Sequence, residues 1–204
     1  MNRYFLKQLQ SPSGIFGKYV LPKLWNRRNR MLNDVTFDAL EVQTTDRVLE
    51  VGFGGGYLLN RILPAVADGY AAGVDASDAI VKQSQGRFQK PIQSGRMEII
   101  CAGAENLPFP QESFNKVCSV NSIFYWNCIA RGLSEIYRVL QKDGIFVMTF
   151  TSEACLRDRF SQTDWRFFDS DSMGSVLSEA GFRNMRCETR EDHYRIFHCC
   201  VAKK

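Results

Sequence analysis

Short apolar runs alternate along this chain with segments whose apolar residues recur every three or four positions. Residues 47–51, 70–75, 97–101, 115–120 and 144–150 read as strands, and most are apolar along their length rather than at alternate positions. Segments 56–67, 77–88 and 129–142 read as the helices between them; in the last, Ile129, Leu133, Ile136, Tyr137 and Leu140 share one face. Continuous apolar strands joined by helices predict an α/β fold, with a parallel sheet covered on both faces. Downstream, Met173–Ala180 predicts a helix stopped by Gly181, Phe182 opens a strand, and Tyr194–Ala202 gives one more. Upstream, helices are predicted over 3–10 and 15–41, separated by Ser11-Pro12-Ser13-Gly14, with Pro22 a kink or restart. The expected division is an N-terminal helical cap over residues 1–45 and one globular unit over residues 46–204.

The most informative run is Arg47-Val-Leu-Glu-Val-Gly-Phe-Gly-Gly-Gly-Tyr57. A strand carrying an acid, Glu50, breaks into Gly52, Gly54, Gly55 and Gly56 and leads into a helix. Glycine there lets a ligand touch main chain and permits the turn from strand to helix. The dinucleotide pattern G-x-G-x-x-G fits only in part. Counted from Gly52 its third glycine falls on Tyr57, and counted from Gly54 it falls on Leu59. A carboxylate two positions before the first glycine suits a cationic ligand group, such as an amino-acid ammonium. Asp75 ends the next strand, where it either accepts both hydroxyls of a ribose or caps the following helix near Ser77.

Glu50-x-Gly52-x-Gly54-x-Gly56, with Asp75 one helix and one strand later, resembles motif I and its sequel in the class I S-adenosylmethionine-dependent methyltransferases. Cys101-Ala-Gly-Ala-Glu-Asn-Leu-Pro-Phe-Pro110 resembles the stretch that holds adenine in that family, with Gly103 where an acid is usual. A backbone carbonyl, Glu105 or water would then replace the missing acceptor. The resemblance implies a Rossmann-like, seven-stranded and mostly parallel sheet with helices on both faces, the last strand antiparallel, and a helical cap. It implies S-adenosyl-L-methionine as cofactor, held by Glu50, Gly52, Gly54, Gly56, Asp75, Ala76, Ala104, Glu105 and Asn121. Tyr125 and Trp126, after the fourth strand, would wall the acceptor site or pack beneath the next helix. An NAD(P)-dependent oxidoreductase and a catalytically silent binding module are the alternatives.

Composition adds limits. A chain of 204 residues with 45% hydrophobic content can bury a single stable core. Net charge is only +4, which demands no nucleic-acid partner, but the first 34 residues set seven basic side chains against Asp34 alone. That basic extension reads as a helix with a solvated face, as a lid bringing Trp25 or Asn29 to the acceptor, or as a peripheral membrane contact through Phe5, Leu6, Ile15, Phe16, Tyr19 and Val20. Seven cysteines without a Cys-x-x-Cys pair read as reduced, buried thiols of a cytoplasmic protein, and no metal site is expected.

No catalytic residue is assigned, because an activated methyl group needs alignment more than a base. His193, His198, Tyr125 and Cys128 are conceivable bases, each more readily explained as structural or solvated. The acceptor reads as a small molecule of unspecified class. Arg157 to Phe168 mixes arginine with aromatics, which suits a planar or acidic compound or simply a packed loop.

Overall fold

Strands that are apolar on both faces must be covered on both, and the covering elements fix where a ligand can enter. The computed structural model describes residues 21–204 apart from residue 159, with side chains from residue 24 onward. The helix expected over 3–10, the break after it, and the residues of the membrane-contact reading (Phe5, Leu6, Ile15, Phe16, Tyr19 and Val20) lie outside the described residues. Among the described residues helices α1 (Leu21–Arg28) and α2 (Arg30–Leu40) come first, with Pro22 at the second position of α1. Then follow β1 (Arg47–Val51), α3 (Tyr57–Ala65), β2 (Tyr70–Asp75), α4 (Asp78–Arg87), α5 (Gln89–Gln93) and β3 (Met97–Cys101). The chain continues through β4 (Phe114–Val120), α6 (Ile129–Val139), β5 (Leu140–Thr151), α7 (Glu153–Leu156), α8 (Ser170–Glu179), β6 (Arg183–Glu191) and β7 (Ile196–Lys203).

The seven strands form one sheet in the order β3-β2-β1-β4-β5-β7-β6, parallel except for β7, which runs antiparallel to both neighbours. This is the expected mostly parallel sheet with a reversed final strand. Leu133 and Ile136 of α6, with Met173 and Leu177 of α8, bury against one face. Leu32 and Leu40 of α2, Leu58, Leu59 and Ile62 of α3, and Ile80 and Val81 of α4 bury against the other. Helix α2 is fixed to the sheet by more than apolar contact, since the buried Thr36 hydroxyl donates to the Thr149 hydroxyl of β5 at 2.6 Å.

Two expectations are corrected. The helix expected to run to residue 142 ends at Val139, and β5 begins at once. Leu140 satisfies either pattern: it is fully buried in the strand, paired with Phe114, before a bulge shifts the register. The cysteines are also not uniformly reduced and buried. Cys187 and Cys200 are register partners on β6 and β7 and form a disulfide, while Cys101 and Cys128 are exposed. Among the described residues no helix is long and apolar enough to cross a membrane.

The loop that hands α2 to β1 rests on a buried ion pair. Lys116 Nζ lies 2.9 Å from Asp46 Oδ2, both side chains being under 10% exposed. Gln43 N and Asn115 Nδ2 also donate to this carboxylate, at 2.7 and 2.6 Å. Burial alone would raise the Asp46 pKa, but these bonds and the lysine charge outweigh it and hold it below the usual value. Its contribution to stability is therefore present above the unfolded carboxylate value of about 3.9 and lost as pH falls through the lower folded value. Asp46→Ala, which strands the Lys116 ammonium, is expected to cost about 3–5 kcal/mol in chemical denaturation at pH 7. A cost near zero would show that this pair does not anchor β1.

Candidate functional site

The sheet order reverses between β1 and β4, and a cavity of about 290 Å³ opens at the carboxyl ends of the strands beside that switch point. Its floor is the turn from β1 into α3. Gly52 (φ +77°) sits so close to the turn after β4 that a Cβ there would lie 2.5 Å from Ser122 Cβ. Ser122 ties the two turns: its hydroxyl donates to Val51 O at 3.2 Å and receives Trp126 Nε1 at 3.1 Å. Gly54 (φ +48°) presents bare main chain to Trp25, whose ring would lie 3.4 Å from a Cβ at that position.

Asp75 binds main chain on two sides. Its Oδ2 accepts from Gly54 N and its Oδ1 from Ser77 N, each at 2.9 Å. The cap of α4 is Ser77, whose hydroxyl accepts from Ile80 N, so Asp75 is not that helix's N-cap residue. Burial raises the Asp75 pKa against the pull of these two bonds.

Glu50 lies deeper, 2% exposed, with Oε2 sealed from solvent and without a hydrogen-bond partner. Burial, reinforced by the nearby Asp75 charge, pushes its pKa well above the usual carboxylate range, while Leu59 N–H and Arg87 pull weakly the other way. A buried acceptor without a partner is costly, and it marks a place where a donor or cation would bind well.

The first helices close the cavity. Trp25, Asn26, Arg28, Asn29 and Asn33 all line it. Asn26 Nδ2 donates to Gly55 O at 3.1 Å, and Arg87 Nη1 donates to the same carbonyl from α4 at 3.0 Å. Asn29 Oδ1 receives Asn121 Nδ2 and Arg195 Nη1, both at 3.1 Å, while Arg195 Nη2 donates to Arg28 O at 3.0 Å. Beyond this seam the wall is aromatic: Tyr125 meets Trp165 edge-on at 5.0 Å, and Phe124 meets Phe167 at 5.7 Å.

Of the residues expected at the site, Glu50, Gly52, Gly54, Asp75, Ala76, Ala104, Glu105 and Asn121 line this cavity. Gly56 does not; it is the N-cap of α3. Glu105 is partly committed elsewhere, because its Oε1 accepts from Asn127 N and Cys128 N at the start of α6. The Asn121 side chain is likewise engaged, its Oδ1 accepting from Thr151 N at 2.8 Å. Tyr125 lines the cavity; His193, His198 and Cys128 do not. His198 is buried within the edge hairpin, on β7, where burial lowers its pKa and Nδ1 meets the hydroxyl of its register partner Thr189. Sequence reasoning missed Asn26, Arg87, Thr151 and Arg195, single polar residues in segments with no motif. Among the described residues no group of three or more His, Cys, Asp or Glu could hold a metal ion.

A family model described as a methyltransferase domain matches residues 49–148. YdaC, an uncharacterised methyltransferase of Bacillus subtilis strain 168, is 29% identical over 86% of this chain and 93% of its own length. YrhH, named as a methyltransferase in the same organism, is 32% identical over 62% of this chain and 71% of its own. A solved S-adenosylmethionine-dependent methyltransferase from Thermotoga maritima superposes with a TM-score of 0.70 at 20% identity, covering 89% of this chain and 94% of that one. At that identity the superposition speaks for the fold.

The raised Glu50 pKa fixes a sign. Its folded-state value exceeds the unfolded one, so its contribution is most favourable below about pH 4.3 and is lost as pH rises through the folded value. Glu50→Gln removes that loss. The variant without ligand is expected to melt above the wild type at pH 8 and close to it at pH 4.5, in thermal scans followed by circular dichroism. Identical melting curves at pH 8 would mean the carboxylate is not strained.

Proposed function

Because this chain belongs to the class I S-adenosylmethionine-dependent methyltransferases, we propose that the glycine-turn cavity holds the cofactor through the residues just described, and that a small-molecule acceptor occupies the aromatic chamber beside it. The observation that carries this reading is the partnerless Oε2 of Glu50 beneath a turn stripped of Cβ atoms. A cationic amino-acid group would satisfy that oxygen and restore its charge, whereas a pyrophosphate would meet a like charge. This is also why the nicotinamide alternative fits poorly. Tyr57, at the position of a dinucleotide glycine, instead donates to Asp34 of α2 and so belongs to the closure of the cap.

Asp75, at the tip of β2, keeps lone pairs beyond its two main-chain bonds for ribose hydroxyls. Ala76 and Ala104 leave room for a flat base, and Gly103 offers it main chain only. When bound, S-adenosylmethionine supplies a methyl group on a sulfonium, already activated for displacement. What the protein adds is alignment and exclusion of water. Trp25, Asn26 and Asn29 close one side, and the 157–168 connection closes the other. Burial pushes the Tyr125 phenol up to about 12, so it keeps its proton and serves as a donor rather than a base.

A chamber walled by side chains on both sides suits a small molecule rather than a polynucleotide. We place the protein in the cytoplasm, a location supported by five free thiols. The Cys187–Cys200 disulfide is a single bond within one hairpin rather than a scaffold holding separate elements together.

Calorimetric titration with S-adenosylhomocysteine and, separately, NAD tests the assignment. S-adenosylhomocysteine is expected to bind and NAD to give no heat. Asp75→Ala is expected to weaken S-adenosylhomocysteine by about 1–3 kcal/mol, the cost of losing charged hydrogen bonds. Uptake of NAD with indifference to S-adenosylhomocysteine would overturn the assignment, and unaltered affinity in a folded Asp75→Ala variant would remove the ribose role.

A further inference from the structure

We propose that the acceptor is a planar aromatic molecule bearing a carboxylate, its ring held among the aromatic side chains of the chamber and its anion paired with Arg28. This rests on the methyltransferase reading and names the substrate class for the same cavity.

The shape of the wall gives the first half. Tyr125 comes from the turn after β4, Trp165 and Phe167 from the long connection before α8, and Trp25 from α1. These segments are distant in sequence and converge on one cavity, where Phe124, Tyr125 and Phe160 set their rings edge-on or tilted to those of Trp165 and Phe167. Edges and faces so arranged favour a flat ring over a flexible aliphatic chain, which would gain only area.

Charge gives the second half. The carboxylates lining the cavity, Glu50, Asp75 and Glu105, belong to β1, β2 and the segment after β3, on one side of the switch point. The arginines lining it are Arg28, at the end of α1 that meets the turn between β6 and β7, and Arg195 of that turn, on the other side. Arg195 is spent on Asn29, Thr151 and the Arg28 carbonyl. Arg28 has no carboxylate within ion-pair distance among the described residues, although it is only half-exposed. Its guanidinium carbon stands 5.5 Å over the exposed ring of Tyr194, in the turn before β7. A half-buried arginine lining the cavity, with no counter-ion among the described residues, matches the planar fork of a carboxylate.

All three tryptophans of the chain, Trp25, Trp126 and Trp165, line the cavity, so intrinsic fluorescence reports its occupancy. The test is a fluorescence titration of protein shown by calorimetry to be saturated with S-adenosylhomocysteine. The probes are para-hydroxybenzoate, its methyl ester and hexanoate. Para-hydroxybenzoate is expected to quench with a Kd about tenfold or more below those of the other two, roughly the value of one partly buried ion pair. Arg28→Gln, titrated at a concentration of S-adenosylhomocysteine that saturates the variant, is expected to bring acid and ester within about threefold, and Arg28→Lys to restore part of the preference. The inference is overturned, with the cofactor assignment intact, if the ester binds as tightly as the acid, if hexanoate matches it, or if neither aryl compound quenches. Should S-adenosylhomocysteine itself fail to bind, the methyltransferase reading falls and this inference with it.

Discussion

The carboxyl edge of this sheet is organised by one side chain, Asp75, whose two oxygens accept main-chain N–H groups from two different turns. Burying a carboxylate there costs free energy, and two charge-assisted bonds offset it. The bond to Gly54 fixes the glycine turn against β2, and the bond to Ser77 fixes the entry to α4. With those turns held, Gly52 meets Ser122 and the turns after β1 and β4 become one surface. Glu50 is then enclosed beneath it with an oxygen unsatisfied. The cavity is thus a consequence of main-chain hydrogen bonding at two adjacent strand ends, and its chemistry follows from which acids those ends carry.

What could be read from the sequence is what local chemistry dictates at fixed spacing. The glycine turn, Glu50 and Asp75 were legible because a close approach of main chain to ligand admits few residue types. The alternation of strands and helices was legible because burial on two faces leaves a periodic trace. The end of α6 was not, since Leu140 continues the helical stripe and is equally buried as the first residue of a strand. Nor was the Cys187–Cys200 bond, which depends on the register of β6 against β7. Glu105 showed only as an acid near the adenine stretch, and its bonds to Asn127 and Cys128 required the start of α6 to be in place. The lining role of Asn26 and Arg195 was invisible because their partners lie far away in the chain.

The two cap helices are held in different ways. Helix α2 buries Leu32 and Leu40 completely and joins the Thr36 hydroxyl to β5, so it is part of the core. Among the described side chains, helix α1 is joined to the domain through hydrogen bonds from Asn26, to Arg28 O and around Asn29, and through the apolar packing of Trp25. Bonds of that sort exchange with water at small net cost, while fully buried leucines do not. Asn29, between the helices, continues their backbone bonding, its N–H donating to Trp25 O at 2.8 Å and its carbonyl accepting from Asn33 N at 2.9 Å, so the cap meets the site as one continuous piece.

The Arg195 contacts have a further consequence for the order in which the molecule is completed. The residues that shut the cavity, Arg28 and Asn29, leave the ribosome more than 160 positions before the guanidinium that latches them. A nascent polypeptide emerges from its N-terminus, so α1 and Asn29 have their bonds to Gly55 and Asn121, without those to Arg195, while the five parallel strands that precede the edge hairpin assemble. The last latch on the cavity is therefore the last to be made, and a translation product arrested ahead of the final two strands would lack the Arg195 bonds to Asn29 and Arg28 O.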